Sequence, residues 1–354
     1  MSAEVMRSEI LEQPALCEGL LRRERAGLAP LLKSLGAKPP KGIVLAARGS
    51  SDNAAIYGRY LLEQLTGIPV SLAAPSLVTL YGARPRYKDY LVIGVSQSGQ
   101  GPDVNAVMAL AKRQGAATLG ITNDPRSGLA GASRHLVDLG AGPERAVAAT
   151  KTFTTELAAL ALLGVLWRGD KALIRALDAL PAQMQAVLAA TEAPTRRTAG
   201  RLKTLSSCVV LGRGYQLGVA QEIGLKMKEC AGVPALSYSV ADFAHGPVSL
   251  AHRGFPVFYV SVPGALQSES LRSTKDFLER GARVFHMGIR DKGLASLKKS
   301  PKLDLSMLAD ADVEECLSPL LTILPGQWFA YYNALAKGLD PAKPRGLKKI
   351  TKTK

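Results

Sequence analysis

The sequence predicts an α/β protein made of two tandem doubly wound parallel-sheet domains related by an internal repeat. Three observations predict it. The chain has 354 residues, more than one ordinary core holds and enough for two. Strand-length apolar runs alternate with helix-length segments, the pattern of parallel strands covered by helices on both faces. And the stretch VLAARGSSDNAAIYGRYLLEQLTGIPV from Val44 returns 165 residues later, from Val209, as VVLGRGYQLGVAQEIGLKMKECAGVPA.

At that offset Arg48 pairs with Arg213, Gly49 with Gly214, Ala55 with Ala220, Gly67 with Gly232 and Pro69 with Pro234. The register continues through Val92, Val95 and Ser96, matched by Val257, Val260 and Ser261. General likeness among α/β units explains the apolar strands, but not the shared Arg-Gly and Gly-x-Pro. In chain order, a helical leader fills residues 1–40, and the first domain, 41–190, opens with the strand IVLAA from Ile43. The strands YLVIGV from Tyr90 and ATLGITN from Ala117 follow, and the apolar run Leu157 to Trp167 reads as a buried helix. The polar stretch Thr191 to Thr204, with Pro194 and Gly200, reads as a linker into the second domain, 191–335. That domain repeats the plan with CVVLG from Cys208, FPVFYVSV from Phe255 and RVFHMGI from Arg283. A tail rich in Gly, Pro and Lys occupies 336–354.

Composition bounds the function. Hydrophobic residues make up 47% and charged residues 21%, the profile of a globular chain. No apolar run reaches membrane-spanning length, and the start, with Glu4, Arg7, Glu9 and Glu12, reads as no signal peptide. Four scattered cysteines without a CxxC pair imply neither disulfides nor zinc, so a reducing, cytoplasmic setting is expected. The net charge of +16 is spread along the chain except in the tail, and no nucleic-acid-binding motif accompanies it. Attraction of an anionic metabolite is the more economical use.

Two loops could hold such an anion. Arg48-Gly49-Ser50-Ser51-Asp52 follows the first strand, and Ser96-Gln97-Ser98-Gly99-Gln100-Gly101-Pro102 follows LVIGV. Where a strand hands over to a helix, unpaired N–H groups and the helix dipole favour negative charge. Ser50, Ser51, Ser96 and Ser98 add hydroxyl donors, and Pro102 suits the first helical turn. One such loop could simply cap a helix; two at one sheet edge point to a phosphomonoester. Neither a Walker lysine nor GxGxxG is present, so no nucleotide is implied.

In the second copy Glu222, Lys226 and Glu229 share one helical stripe, beside an apolar stripe of Val219, Ile223 and Met227. Glu four residues before Lys is a common solvent-facing pair. The twin helix, however, carries Tyr57, Leu61 and Gln64 at the matching positions, so this copy alone has gained ionisable groups. Glu229 is a candidate for shuttling a proton between adjacent sugar carbons. Of the four histidines, His135 and His286 adjoin strand-like runs and His252 reads as exposed. His245 sits in a loop-like stretch and could serve function or packing equally. No metal-ligand spacing is recognisable and no cofactor is expected, since a lysine or histidine can polarise a carbonyl.

These residues resemble the isomerase half of glucosamine-6-phosphate synthase and its stand-alone relatives, the tandem sugar-isomerase (SIS) domain family, whose domains are flavodoxin-like. The resemblance runs from Glu9-Ile10-Leu11-Glu12-Gln13-Pro14 through Arg48-Gly49-Ser50-Ser51, Ser96-Gln97-Ser98-Gly99 and Val147-Ala148-Ala149-Thr150-Lys151. It continues with Glu222 to Glu229, His245-Gly246-Pro247 and Pro344-Arg345-Gly346-Leu347-Lys348-Lys349. It implies that Ser50, Ser51, Ser96, Gln97 and Ser98 contact the phosphate and sugar hydroxyls, and that the Val147 and Ala148 backbone lines the sugar. It makes Glu229 the C1–C2 proton shuttle with Lys226 beside it. His245 becomes the ring-opening histidine offered by the neighbouring subunit, so a homodimer with shared active sites is expected. Lys349 becomes a mobile-tail lysine that forms a Schiff base with a ketose. Two departures stand out: Gly101 replaces a usual Ser or Thr, and the tail continues Ile350-Thr351-Lys352. The glutamine-hydrolysing domain is not matched, so synthesis from glutamine is not expected of this chain alone. The expected reaction is deamination of an amino-hexose 6-phosphate to fructose 6-phosphate and ammonia, by ring opening and C1–C2 proton transfer. The alternatives are a ketose–aldose isomerase, a fructosamine-phosphate deglycase or, in another class, a non-catalytic sugar-phosphate sensor. No nucleic-acid or membrane partner is implied.

Overall fold

A computed structural model of the chain describes residues 2–349; Met1 and 350–354, the end of the basic tail, lie outside the described residues. The leader is helical, as α1 (Ser2–Gly27) and α2 (Ala29–Ala37). The first copy runs β1 (Ile43–Ala46), α3 (Ser50–Thr66), β2 (Val70–Leu72), α4 (Ser76–Thr79), β3 (Leu91–Val95) and α5 (Pro102–Arg113). It continues with β4 (Ala117–Thr122), α6 (Gly128–Gly131), β5 (His135–Asp138), α7 (Lys151–Arg168) and α8 (Lys171–Arg201). The second copy runs β6 (Cys208–Gly212), α9 (Gln216–Ala231), β7 (Ala235–Ser239), α10 (Val240–Ala244) and β8 (Pro256–Ser261). It closes with α11 (Gln267–Glu279), β9 (Arg283–Ile289), β10 (Leu303–Ala309) and α12 (Pro319–Ala336).

Each copy builds one five-stranded sheet, ordered β2-β1-β3-β4-β5 and β7-β6-β8-β9-β10, and every strand pair is parallel. The same order twice is the internal repeat in three dimensions. Strand order reverses between β1 and β3, and between β6 and β8, and in such sheets ligands bind beyond the carboxyl ends at the reversal. The chain divides into two compact units. Among the described residues, the first-sheet unit comprises Ala15–Glu144, Lys151–Ala179 and Lys348 with Lys349; the second-sheet unit comprises residues 2–14, Arg145–Thr150 and Leu180–Leu347.

Fully buried strands need apolar residues on both faces, and β1, β3 and β6 are buried at every position. One face of the first sheet packs Val44, Ala46 and Val92 against Val104, Val107 and Met108 of α5. In the second unit Phe258 stacks on Phe285 at 5.1 Å and meets Phe329 of α12 at 4.8 Å. Burying side chains of this size contributes about 1.5–3 kcal/mol each. α12 approaches α9 closely because a Cβ on Gly326 would lie 2.3 Å from Ile223.

Two readings of the sequence change. Thr191 to Thr204 is no linker: helix runs to Arg201, with Thr191, Thr195 and Thr198 fully buried on one face. The Thr191 hydroxyl donates to the carbonyl of Val187 at 2.7 Å and the Thr198 hydroxyl to the Asp304 carboxylate at 3.2 Å, so both are satisfied inside. The stretch holding His245 is also more ordered than a loop, since His245 caps α10 and a 3₁₀ turn follows at Pro247–Leu250.

Candidate active site

In the first-sheet unit both Ser/Gly loops sit at the carboxyl ends of β1 and β3, the neighbours at the reversal point. Arg48 ties them together, donating to the buried carboxylate of Asp103, in the first turn of α5, at 2.7 Å. Asp103 in turn accepts from the Val104 N–H at 2.9 Å. Ser51 lies in the first turn of α3 and its hydroxyl donates to Glu156 of α7 at 2.7 Å. Burial pushes the Asp52 carboxyl up, against the pull of Arg48.

The second loop winds on Gly99, at φ +61°, where a Cβ would lie 2.1 Å from the Ser127 hydroxyl, so no other residue fits. The Gly99 N–H donates to the Ser96 hydroxyl at 3.1 Å, and the Gln100 N–H to the Ser98 hydroxyl at 3.3 Å. Ser96, Gln97 and Ser98 all keep partial exposure. The loop ends in Gly101 as N-cap, without a side-chain cap bond, and Pro102 starts α5. The structure thus groups Ser50 and Ser51 with Ser96 to Ser98 at one edge, laced by Arg48 and Asp103.

That edge extends further than the sequence suggested. The carbonyl of Gln97 accepts from the Asn123 N–H at 3.0 Å, and the Asn123 side chain binds the Ala141 N–H and the Gly142 carbonyl, both at 2.8 Å. Two residues on lies Glu144, whose side chain is fully buried. Its carboxylate accepts from Lys349 at 2.6 Å and from the N–H and hydroxyl of Thr152, at 3.1 and 2.7 Å.

In the second-sheet unit the stripe on α9 is not a surface pair. The Lys226 ammonium lies 3.2 Å from Glu222 and 2.5 Å from Glu229. Glu222 and Lys226 are fully buried, whereas the Glu229 side chain remains 23% exposed. Burial opposes the charge on Lys226, but the two carboxylates outweigh it and hold its pKa above the ordinary lysine value. Val219, Ile223 and Met227 are buried as the periodicity requires. Glu229 is therefore the one member of the trio open to a ligand, and it is ion-paired to a buried ammonium. The backbone before Val147 and Ala148 is anchored by Glu9 of α1, which accepts from the N–H groups of Arg145 and Ala146 at 2.5 and 3.3 Å. The Val147 N–H donates to the carbonyl of Ala342 at 3.0 Å. His245 is exposed, while His286 is buried on β9 between the hydroxyls of Ser261 and Thr274. The sequence assigned no role to Glu9, Asp103, Glu144 and Glu156. Their signal, a carboxylate inside a helix or loop, is indistinguishable from surface charge until its partner is known.

Comparison with known proteins identifies both copies as one kind of domain. The SIS domain family matches residues 38–166 and 203–337. A glutamine–fructose-6-phosphate aminotransferase (isomerizing) of Gloeobacter violaceus is 35% identical over 360 residues, spanning 97% of this chain and 58% of the relative. The chain thus covers somewhat over half the length of that curated relative. A solved Silicibacter pomeroyi structure, provisionally described as a phosphosugar isomerase, is 34% identical with a TM-score of 0.85, over 95% of this chain and 99% of that one. The C-terminal domain of glucosamine-fructose-6-phosphate aminotransferase from Francisella tularensis aligns at 25% identity and a TM-score of 0.84, over 96% and 98% of the two chains. A Thermotoga maritima glucosamine-6-phosphate deaminase shares the fold at 22% identity and a TM-score of 0.79, over 99% and 100%. With two matched domains in a repeated five-stranded architecture, the chain belongs to the SIS domain family.

Proposed function

We propose that the chain binds a hexose 6-phosphate and reacts at its C1–C2 end, and that with an amino-hexose 6-phosphate it yields fructose 6-phosphate and ammonia. The observation that carries the reading is the α9 trio, in which an accessible carboxylate is backed by a buried ammonium and a second buried carboxylate. Such a carboxylate suits general base chemistry on a carbon acid. The paired Ser/Gly loops supply hydroxyls and a strand-to-helix edge for the phosphate.

His245 opens the ring in this reading, from the neighbouring subunit of a homodimer. Glu229 takes the C2 proton of the open aldose and returns it to C1, which leaves an imine at C2. Water adds to that carbon and ammonia departs, so amino sugar plus water becomes ketose plus ammonia. The Val147 and Ala148 backbone lines the sugar, and Lys349 engages a ketose carbonyl. Ammonia from glutamine is not among the tasks these residues perform. We place the protein in the cytoplasm; its four cysteines are free thiols and no described helix is long and apolar enough to cross a membrane.

A second reading, ketose–aldose isomerisation, uses the same proton transfer without nitrogen, and the Silicibacter pomeroyi relative supports it. A deglycase acting on a fructosamine phosphate shares this chemistry too. A sensor without catalysis would not need the buried trio. The test of the site is a panel of amino- and keto-hexoses with and without the 6-phosphate. Only phosphorylated sugars should turn over, and the Ser96→Ala, Ser98→Ala double variant should raise KM by roughly 10–100-fold with a smaller change in kcat. Equal activity on unphosphorylated sugars, or an unchanged KM, would refute the phosphate placement.

A further inference from the structure

We propose that Glu144 is a positioning residue for Lys349 that also takes and returns its proton when Lys349 condenses with a ketose carbonyl. The inference rests on the reading of Lys349 given above. Three observations carry it. Glu144 is a carboxylate with a fully buried side chain, and it meets the Lys349 ammonium at 2.6 Å. The N–H and hydroxyl of Thr152 hold that carboxylate in place, at the amino end of α7. The bonds from Gln97 through Asn123 to Gly142 place its segment at the same carboxyl edge as the Ser96 loop.

A surface latch for a tail needs no buried acid. Condensation does need one, because an ammonium has no free electron pair with which to attack a carbonyl. The charged residues near Glu144 along the chain are Arg145 and Lys151, and neither carries a carboxylate. Within the ion pair, the ammonium proton passes to the Glu144 carboxylate and the freed Nζ electron pair forms the bond to the ketose C2. The carbonyl oxygen then takes that proton and becomes a hydroxyl. A second Nζ proton follows the same route through Glu144, and the hydroxyl leaves as water. The third remains on nitrogen, so ammonium plus ketone gives protonated imine plus water, with charge conserved.

The experiment traps the imine with borohydride on the full chain incubated with fructose 6-phosphate, and follows label on Lys349 by mass spectrometry between pH 6 and 9. The wild type should label at a rate nearly independent of pH, since the ion pair is its reactive form. Glu144→Gln should label about 100-fold more slowly at pH 7, with a rate rising about tenfold per pH unit as free amine appears. Glu144→Asp, which keeps a base, should be slower but flat, and it tests the proposal even if Glu144→Gln folds poorly. If Glu144→Gln labels with the flat profile of the wild type, whether as fast or uniformly slower, Glu144 only secures the tail and the proposal falls while the reading of Lys349 stands. If the wild type turns over sugar phosphate yet never labels at Lys349, that reading falls first and this inference with it.

Discussion

Replacing Lys226 by Met tests whether the α9 trio is electrostatically built. The substitution keeps the volume roughly constant but removes an ammonium 3.2 Å from a carboxylate that is fully buried. At an effective dielectric of about 20, charges that far apart interact by about 5 kcal/mol. Breaking buried pairs by removing one partner costs about 3–5 kcal/mol, so the two estimates agree. In a unit of this size 1 kcal/mol moves the melting midpoint by about 2–4 °C, so Lys226→Met should melt roughly 10 °C or more below the wild type. The Lys226 pKa is raised in the folded protein, so its stabilisation is complete below the unfolded value near 10.5 and is lost only as pH rises through the folded one. The contribution of Lys226 to the wild type should therefore be constant between pH 6 and 9 in calorimetry or guanidinium melts. Adding Glu222→Met should recover most of it, since an apolar pair can replace a buried ion pair. A deficit under about 1 kcal/mol, or no recovery in the double variant, would refute the electrostatic account.

Two further outcomes follow from the geometry. Glu229→Gln should lower kcat by roughly 10²–10⁴-fold while binding of a hexose 6-phosphate, measured by calorimetry, barely changes; near-normal turnover would reduce Glu229 to a helix-surface carboxylate. Burial pushes the His286 imidazole down to about 3, so the folded protein keeps it neutral where the unfolded chain, near about 6.5, takes up a proton. Stability from this group is thus lost as pH falls below the unfolded value. The loss should be about 2 kcal/mol between pH 7 and 5, and His286→Gln should remove that part of the slope in urea melts. An unchanged slope would show that His286 does not titrate on unfolding.

Much of this architecture was legible because it repeats. The shared Arg-Gly and Gly-x-Pro predicted twin units, and both sheets have the same strand order. The Ser96 and Ser50 loops were legible because strand, glycine and helix occur in sequence, and local chemistry decides such junctions. Short strands were not: β2 has three residues, and β5 reads His-Leu-Val-Asp, half polar because it lies at the sheet edge. Thr191, Thr195 and Thr198 misled because threonine is polar in composition yet packs inside: the Thr191 hydroxyl finds the Val187 carbonyl and the Thr198 hydroxyl finds Asp304. The buried carboxylates stayed hidden for a different reason. Ser51 and Glu156 lie 105 residues apart, Glu144 and Lys349 lie 205, and no local pattern connects residues at such separations. On α9 the spacing of the trio was legible, but its burial was decided by packing that the stripe alone does not reveal.

Deamination is tested by incubating purified protein with glucosamine 6-phosphate and measuring ammonia and fructose 6-phosphate over time, with and without a chelator and with no added metal or nucleotide. Glu229 has only to carry the C2 proton to C1 while water replaces nitrogen at C2. Both products should therefore appear in equal amounts, unaffected by chelation and abolished or strongly reduced in Glu229→Gln. Rapid interconversion of ketose and aldose 6-phosphates, with no ammonia released from any amino sugar phosphate, would contradict it and leave the isomerase reading in its place.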